Sequence, residues 1–204
     1  MSAERYRLSF TTGGLFVQES VLVAERFKPL GDWTATRDRV RSENLLQVRT
    51  AAAALRISKE VVARLEHLSI QEIDCLLDGS QRERAYLLWS ATCRRYGFIR
   101  DFATDVLREH YLTLRHQLPL TEFNTFFHRK SAAHDEIEKT ATSTQNKLRQ
   151  NLFRMMREAD LISGDNLIQA AMLTARLAKL LAQRGSESLH IFPVTDTDVA
   201  RILR

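Results

Sequence analysis

Arginine is the residue type in this sequence best suited to chemistry, and that chemistry is the binding of phosphates and carboxylates. Of the 30 basic residues, 24 are Arg and six are Lys, and the formal net charge is +5. The guanidinium group presents a rigid fork of donors that matches phosphate and carboxylate oxygens. Intrahelical ion pairs or codon bias would explain the same composition, so composition alone leaves both interpretations open.

The stretch from Thr144 to Ala159 has the pattern most suited to DNA binding. The apolar residues Leu148, Leu152 and Met155 share one side at helical spacing, and basic and amide side chains occupy the other. Small polar side chains in the first turn are suited to hold phosphates or contact bases. A solvated basic face on an ordinary amphipathic helix is the alternative. The candidate DNA-binding residues of this stretch are Ser143, Thr144, Gln145, Lys147, Gln150, Arg154 and Arg157.

A second basic group lies nearer the N-terminus and supplies the remaining candidate DNA-binding residues. Its members are Arg37, Arg41, Arg49, Arg56 and Lys59. Arg37 and Arg41 are one helical turn apart and repel by roughly 0.2 to 0.5 kcal/mol. Nearby acids, or a bound polyanion, would relieve that repulsion. The neighbouring acids are Asp32, Asp38, Glu43 and Glu60.

Catalytic and metal-binding patterns are missing from the sequence. The six histidines and two cysteines show none of the close spacings that metal sites use. Gly13 and Gly14 lack the rest of a phosphate-binding loop motif, and no nucleophile stands beside a base in a known motif. We therefore predict that the protein is not an enzyme and has no metal site and no cofactor. Cys75 and Cys93 fall in helical apolar patterns, which predicts buried free thiols.

Glycine and proline divide the chain into amphipathic segments, which predicts an all-α fold. A first helix is expected from about Gly14 to Lys28, ended by Pro29. The expected helix starts are the caps Asp32 and Thr50 and the capping boxes Ser69 with Glu72 and Ser80 with Glu83.

Two small helical domains are predicted, covering residues 1–118 and 119–204, with a linker around Pro119. In the second, a short helix between Asp135 and Thr140, a turn and a longer helix have the outline of a helix-turn-helix. The segment from Leu161 to Ile168 is expected to be either a small hairpin, serving as a wing, or a plain interhelical turn.

The chain has no segment suited to crossing a membrane. Its longest stretch without a charged residue runs over residues 8–18, which is far short of the roughly 20 apolar residues that a span requires. The first residues lack the apolar core of a signal peptide. We therefore expect a cytoplasmic protein with no membrane partner.

Several motifs, in order along nearly the whole chain, resemble those of one family. The motifs are LSFTTGGL (8–15), NLLQVRT (44–50), RRY (94–96), FIRDF (98–102), KLRQ (147–150) and RMMREA (154–159). With these motifs the sequence resembles the BrxA family of BREX bacteriophage-defence systems. The resemblance implies a small, helical, non-enzymatic protein that binds DNA and belongs to a multiprotein defence system. The family pattern has glycine where this sequence has Asp160, so the turn there is expected to be capped differently.

Duplex DNA, bound mainly through phosphate contacts, is the partner that these observations favour. Other BREX proteins are the second class of partner, in which case the protein acts as an assembly factor. Structured RNA is the third, as the ligand of an RNA-binding helical protein.

Overall fold

The computed structural model describes residues 5–204, and this part of the chain consists of α-helices joined by short connections. The predicted all-α fold class is confirmed. A π-helical segment (Ala103–Arg108) and a 3₁₀ turn (Ser186–Leu189) are also present. The helices are α1 (Val17–Leu30), α2 (Trp33–Ser42), α3 (Ala51–Leu65), α4 (Ile70–Asp78), α5 (Gln81–Arg95), α6 (Gly97–Phe102), α7 (Glu109–Leu112), α8 (Leu120–Ser131), α9 (Asp135–Glu138), α10 (Thr142–Glu158), α11 (Ala175–Ala182) and α12 (Asp196–Leu203).

Side-chain caps determine where α2 to α5 begin, and the caps predicted from the sequence are confirmed. The side chains of Asp32 and Thr50 accept hydrogen bonds from the backbone amides of Ala35 and Ala53. In a capping box, a serine and a glutamate three residues later each satisfy the other's backbone amide. The two boxes, at the starts of α4 and α5, are formed by Ser69 with Glu72 and by Ser80 with Glu83.

The C-terminal end of α1 differs from the prediction. The helix continues through Pro29 to Leu30, and it ends at Gly31, which has a left-handed φ of 63°. The Gly31 amide donates to the Phe27 carbonyl at 2.8 Å. The prediction that Pro29 ends α1 was wrong because proline removes only its own donor, and the bond that closes the last turn comes from Gly31.

Residues 5–16, which precede α1, include a turn and a bend but no helix, although a helix was predicted from about Gly14. The helix starts only after Phe16, which adopts a left-handed conformation with φ 57°. The Gly14 carbonyl accepts a hydrogen bond from Arg64 Nη1 at 2.8 Å. The Leu15 amide donates to Glu158 Oε2 at 2.6 Å. This segment therefore joins α3 to the end of α10.

The end of α10 is closed by a left-handed aspartate. Asp160 has φ 53°, its amide donates to the Arg157 carbonyl at 3.0 Å, and the Leu161 amide donates to the Met156 carbonyl at 2.9 Å. These two bonds form a Schellman motif, in which glycine is the usual residue at the left-handed position. Aspartate is one of the few other residues that tolerate this conformation.

The segment after α10 turns back on itself through a single antiparallel bridge between Ile162 and Ile168. The Ser163 amide donates to the Leu167 carbonyl at 2.8 Å, and Leu167 forms a second bridge with Gln117. Before α10, α9 is a single helical turn. The geometry is that of a short hairpin with one bridge, and the helix-turn-helix remains a prediction.

One hydrophobic core cluster includes residues from both predicted domains. The rings of Phe98 in α6 and Phe126 in α8 pack edge to face with centroids 5.1 Å apart. The indole N–H of Trp89 in α5 donates to the Ile191 carbonyl at 2.9 Å. The division between residues 118 and 119 lies at the start of α8, and it remains a prediction. Cys75 and Cys93 are buried free thiols, as predicted.

A buried carboxylate, Glu60, ties α3 to α5. It accepts hydrogen bonds from Arg64 Nε at 2.7 Å and from the Tyr96 hydroxyl at 2.7 Å. Arg64 is only 1% exposed, and it also holds the carbonyl of Gly14. A buried charge without partners is strongly destabilising, so α3, α5 and the N-terminal segment must assemble together around this pair.

A second buried carboxylate, Glu72, ties α4 to α5. It is 2% exposed, and it receives two hydrogen bonds from Arg94, at 2.8 and 2.6 Å. It also accepts from the Ser69 amide at 2.7 Å. Burial by itself would raise the pKa of Glu72, but the hydrogen bonds from Arg94 and Ser69 outweigh it, so the pKa lies below its usual value. Glu72 therefore stays ionised in the folded protein.

The left-handed conformation at residue 160 predicts that glycine is more stabilising there than alanine. We expect the free energy of unfolding of Asp160→Gly to exceed that of Asp160→Ala by about 1 kcal/mol, because a Cβ is strained in this conformation. Both variants lose the same exposed ion pair with Arg82, so their difference reports the backbone alone. Urea unfolding measures both values, and equal stabilities would contradict the assignment.

Removing the charge of Glu72 is predicted to destabilise the fold strongly. We expect Glu72→Gln to lower the free energy of unfolding at neutral pH by about 3 kcal/mol, because Arg94 then lacks its charged partner. The exposed variant Glu43→Gln, which also removes a carboxylate bonded to arginine, is the control with a small expected effect.

The Glu72 effect also has a predicted pH dependence. The folded-state pKa of Glu72 is lowered, so its contribution to stability is present above about pH 4.5 and is lost as the pH falls through the folded-state pKa. The difference between the wild type and Glu72→Gln in urea unfolding should therefore narrow on acidification. A difference that stays constant down to the lowest pH at which both proteins fold would show that the charge is not its source.

Candidate nucleic-acid interface

The apolar side of α10 is buried as predicted. Leu148, Leu152, Met155 and Ala159 have no exposed surface. Neighbouring side chains widen the buried side, because Phe153 and Met156 also lie in the core. The polar surface of this helix is therefore a narrow strip.

Three of the predicted residues share this exposed strip: Lys147, Gln150 and Arg154. Arg154 is not free, since its Nε lies 2.7 Å from Oε1 of Glu158, one turn further along. Glu158 is bound in turn by the Leu15 amide. The carboxylate of Glu158, which the predicted set of basic and amide residues did not include, reduces the positive charge of the strip.

The seven candidate residues on or beside α10 are called the α10 face: Ser143, Thr144, Gln145, Lys147, Gln150, Arg154 and Arg157. Among them, Arg157 forms a contact within the protein. Its side chain is half-buried, and Nη2 donates to Oδ1 of Asn166 at 2.8 Å. It therefore braces the turn after α10. Among the first-turn residues, Ser143 is exposed, whereas Thr144 and Gln145 are half-buried. Within residues 5–204, no side-chain hydrogen bond caps the start of this helix.

The second predicted group, Arg37, Arg41, Arg49, Arg56 and Lys59, lies on and between α2 and α3 and is called the α2–α3 cluster. It is the more exposed of the two predicted surfaces. Arg41, Arg49, Arg56 and Lys59 are exposed, and Arg37 is half-buried. Within residues 5–204, none of these five side chains has a carboxylate oxygen within 4.0 Å of its charged nitrogen atoms. Their charges are therefore available to an external partner.

The acids near this cluster in the sequence are mostly engaged elsewhere. Glu43 pairs with Arg39 at 2.7 Å and with Arg26 at 3.2 Å. Asp32 caps α2, and Glu60 is buried against α5. The fold engages Asp32, Glu43 and Glu60 in contacts outside the cluster. Asp38 is exposed and lines the same surface cleft as Arg41, so its single charge reduces the positive charge of the cluster without cancelling it.

A surface cleft of about 620 Å³ lies between α2 and the start of α3. Arg41 and Arg49 line it together with Asn44 and Asp38. Asn44 has a left-handed backbone (φ 45°), which turns the chain sharply after α2. This turn brings Arg41 and Arg49 to one opening, although eight positions separate them in the sequence.

A third group of cations surrounds a cleft of about 480 Å³, which we call the cationic cleft. This group was not predicted from the sequence. Its arginines come from the N-terminal segment, the end of α5 and the first turn of α6: Arg5, Arg7, Arg94, Arg95 and Arg100. These segments are far apart in the sequence, so helical spacing could not have revealed the group. The RRY motif, which carries two of the arginines, was noticed only as part of the family resemblance.

Tyr6 holds the N-terminal wall of this cleft in place. Its amide donates to Glu136 Oε1 at 2.7 Å, and its hydroxyl donates to Asp101 Oδ2 at 2.5 Å. Its ring packs against His134, with centroids 4.2 Å apart. Arg5 and Arg7, the residues on either side of Tyr6, are exposed and line the cleft together with it.

His67, which also lines the cleft, reports its electrostatic character. The pKa of His67 is lowered from its ordinary value of 6.5, first by burial and then by the positive charges of Arg95, Arg94 and Arg7, with Glu66 acting in the opposite direction. The imidazole is therefore neutral at neutral pH.

Over residues 5–204, no group of three His, Cys, Asp or Glu side chains is arranged to hold a metal ion. In the same range, no helix is both long enough and apolar enough to cross a bilayer.

The fold is similar to that of a solved structure, described as the crystal structure of an uncharacterized protein from Magnetospirillum magneticum. The TM-score is 0.81 at 20% sequence identity, and the match covers 94% of this chain and 100% of the other. At this identity the similarity supports the fold alone.

Sequence comparisons identify the family. A family model described as BrxA matches residues 4–185. BREX protein BrxA from Escherichia coli O9:H4 (strain HS) is 24% identical over 179 residues, or 87% of this chain and 84% of that protein. BREX protein BrxA from Paramagnetospirillum magneticum (strain ATCC 700264 / AMB-1) is 24% identical over 163 residues, or 80% and 82%. The resemblance noted in the sequence is thus confirmed, and the chain belongs to the BrxA family.

Proposed function

We propose that this protein is a non-enzymatic, DNA-binding component of a BREX phage-defence system. It contacts duplex DNA mainly through Arg and Lys side chains bonded to phosphates, and it acts in the cytoplasm. Family membership supports the role in a BREX system. The observation that carries the DNA-binding part is the α2–α3 cluster, whose five cations have no carboxylate partner within the described residues.

Uncommitted cations matter because duplex binding is largely an exchange of counterions for protein charges. A side chain already paired with a carboxylate gains little from a phosphate, since it must first give up its partner. The α2–α3 cluster therefore outranks the α10 face, where Arg154 is paired with Glu158 and Arg157 is bonded to Asn166. We assign the main contacts to Arg41, Arg49, Arg56 and Lys59, with Lys147 and Gln150 as a secondary surface.

Assembly with other BREX proteins is a second candidate, and a separate surface favours it. Four leucines, each between 38% and 74% exposed, lie on or beside the connection from α7 to α8, where Gln117 pairs with Leu167. Exposed apolar side chains grouped in this way are typical of protein contact sites. The four are Leu112, Leu114, Leu120 and Leu167.

The α2–α3 cluster predicts which substitutions weaken duplex binding. In fluorescence anisotropy with a random-sequence duplex at low salt, we expect Arg41→Ala/Arg49→Ala to weaken affinity by about tenfold or more. We expect Lys147→Ala/Arg154→Ala to weaken it less, because only Lys147 is unpaired. The loss should be similar for unrelated duplex sequences, since phosphate contacts carry no sequence information.

The control removes the same amount of charge from elsewhere. Arg176 and Arg201 are exposed and paired with Asp78 and Asp198, and Arg176→Ala/Arg201→Ala should leave duplex affinity nearly unchanged. Equal losses in the control and the Arg41/Arg49 variant would reduce the effect to net charge and contradict the assigned surface. No duplex binding at low salt, with co-purification of other BREX proteins after nuclease treatment, would favour assembly. Tighter binding of structured RNA than of duplex DNA would favour an RNA ligand.

A further inference from the structure

The cationic cleft is separate from the α2–α3 cluster and is formed by other elements. Its volume of about 480 Å³ lies within the range of small-molecule sites. No residue of the α2–α3 cluster or the α10 face lines it. Its ligand is therefore a separate question from duplex binding.

The walls of the cleft are fixed before any ligand arrives. Arg94 is clamped by two hydrogen bonds from its guanidinium to Glu72. Arg95 is largely buried, and its Nη1 donates to the Ala63 carbonyl at 3.2 Å. Groups held in this way lose little conformational entropy on binding, which favours affinity.

The cleft also retains donors that the protein does not use. Arg100 is about half exposed and uses only its Nε, on Asp101 at 3.1 Å, so both of its terminal nitrogens are open. Arg7 is exposed and forms no ion pair with residues 5–204. Arg95 has a terminal nitrogen, Nη2, with no hydrogen bond to the described part of the chain. These forks suit a compact group with several anionic oxygens, such as a phosphate.

A second cavity of about 380 Å³ adjoins the first, and both share the side chains of Arg94 and Arg100. Most of its exposed surface is apolar, with contributions from Cys93 and Ile191, and Arg184, Glu187 and His190 add polar groups to its lining. The two cavities together offer a charged compartment and an apolar compartment on either side of two arginines. A ligand that matches both has an anionic end and a flat, weakly polar body.

We propose that the cationic cleft and the adjoining apolar cavity form a binding site for a nucleotide phosphate end. The terminal phosphate oxygens lie against Arg7, Arg95 and Arg100, and the base occupies the apolar cavity. A free nucleotide and the 5′-phosphorylated end of a strand present the same chemistry. An acidic peptide matches the charges but not the apolar cavity, which is why the nucleotide is favoured.

The test uses the full chain and three probes in isothermal titration calorimetry: ADP, inorganic pyrophosphate and adenosine. We expect ADP and pyrophosphate to bind and adenosine to bind at least about tenfold more weakly, since charged hydrogen bonds supply most of the affinity. Arg7→Ala and Arg100→Ala should each weaken ADP by about tenfold. Both side chains are at the surface, so neither change should unfold the protein. Arg176→Ala, an exposed and paired arginine outside the cleft, is the control.

The source of the phosphate is distinguished by a single-stranded oligonucleotide with and without a 5′-phosphate. Preference for the phosphorylated strand over ADP identifies a strand end, and the reverse identifies a free nucleotide; both support the site. Failure of ADP, pyrophosphate and the phosphorylated strand to bind at low salt would overturn it, as would binding that Arg7→Ala and Arg100→Ala leave unchanged. Loss of duplex affinity in Arg100→Ala without any phosphate-end binding would assign the cleft to the duplex interface and also overturn the proposal.

His67 provides a readout that does not depend on affinity. The groups that shift it are Arg7, Arg94 and Arg95, which lower its pKa, and Glu66, which raises it. A bound anion offsets the arginines, so NMR titration should show the pKa of His67 rising when pyrophosphate is added. A His67 titration that saturating pyrophosphate does not move would contradict the placement.

Discussion

Two buried carboxylates, Glu60 and Glu72, impose the constraint on which the rest of the structure depends. A carboxylate out of contact with water is tolerated only with charged and hydrogen-bonding partners around it. Glu60 requires Arg64 from its own helix and Tyr96 from the end of α5, and Glu72 requires Arg94. These contacts hold α3, α4 and α5 in one arrangement. They also decide which of the chain's many arginines are neutralised inside the protein and which remain outside.

The distribution of charge on the surface follows from this sorting. Three of the four acids near Arg37 and Arg41 in the sequence serve as a helix cap, as a buried partner or as the partner of other arginines, and the fourth, Asp38, stays beside the α2–α3 cluster. At the cationic cleft, the same buried carboxylates hold the rigid arginines of the wall, and more exposed arginines stand beside them. The protein thus has two separate cationic sites, the α2–α3 cluster and the cationic cleft, which are formed by different elements.

Local features were predictable from the sequence, and distant ones were not. The fold class, four side-chain caps and the inward stripe of α10 depend on residues within a few positions of each other, and they match the structure. The end of α1 was misplaced because proline in a last turn does not prevent closure by the following glycine. The cationic cleft was missed because its arginines lie about 90 positions apart and meet only through Tyr6 and Asp101. The pair of Arg154 and Glu158 is local and has the i,i+4 spacing of helical ion pairs, whereas the bond from the Leu15 amide to Glu158 joins distant parts of the sequence, so no local pattern indicates it.

The central claim is that duplex DNA is bound by cations that have no partner within the protein. The salt dependence of duplex affinity tests it most directly, because the slope of log affinity against log salt concentration counts the phosphates that are neutralised. Five free cations predict a slope of about −4 to −5 for the wild type, and removing Arg41 and Arg49 together should reduce its magnitude by about 2. A wild-type slope near zero, or a slope that this double substitution leaves unchanged, would contradict the account.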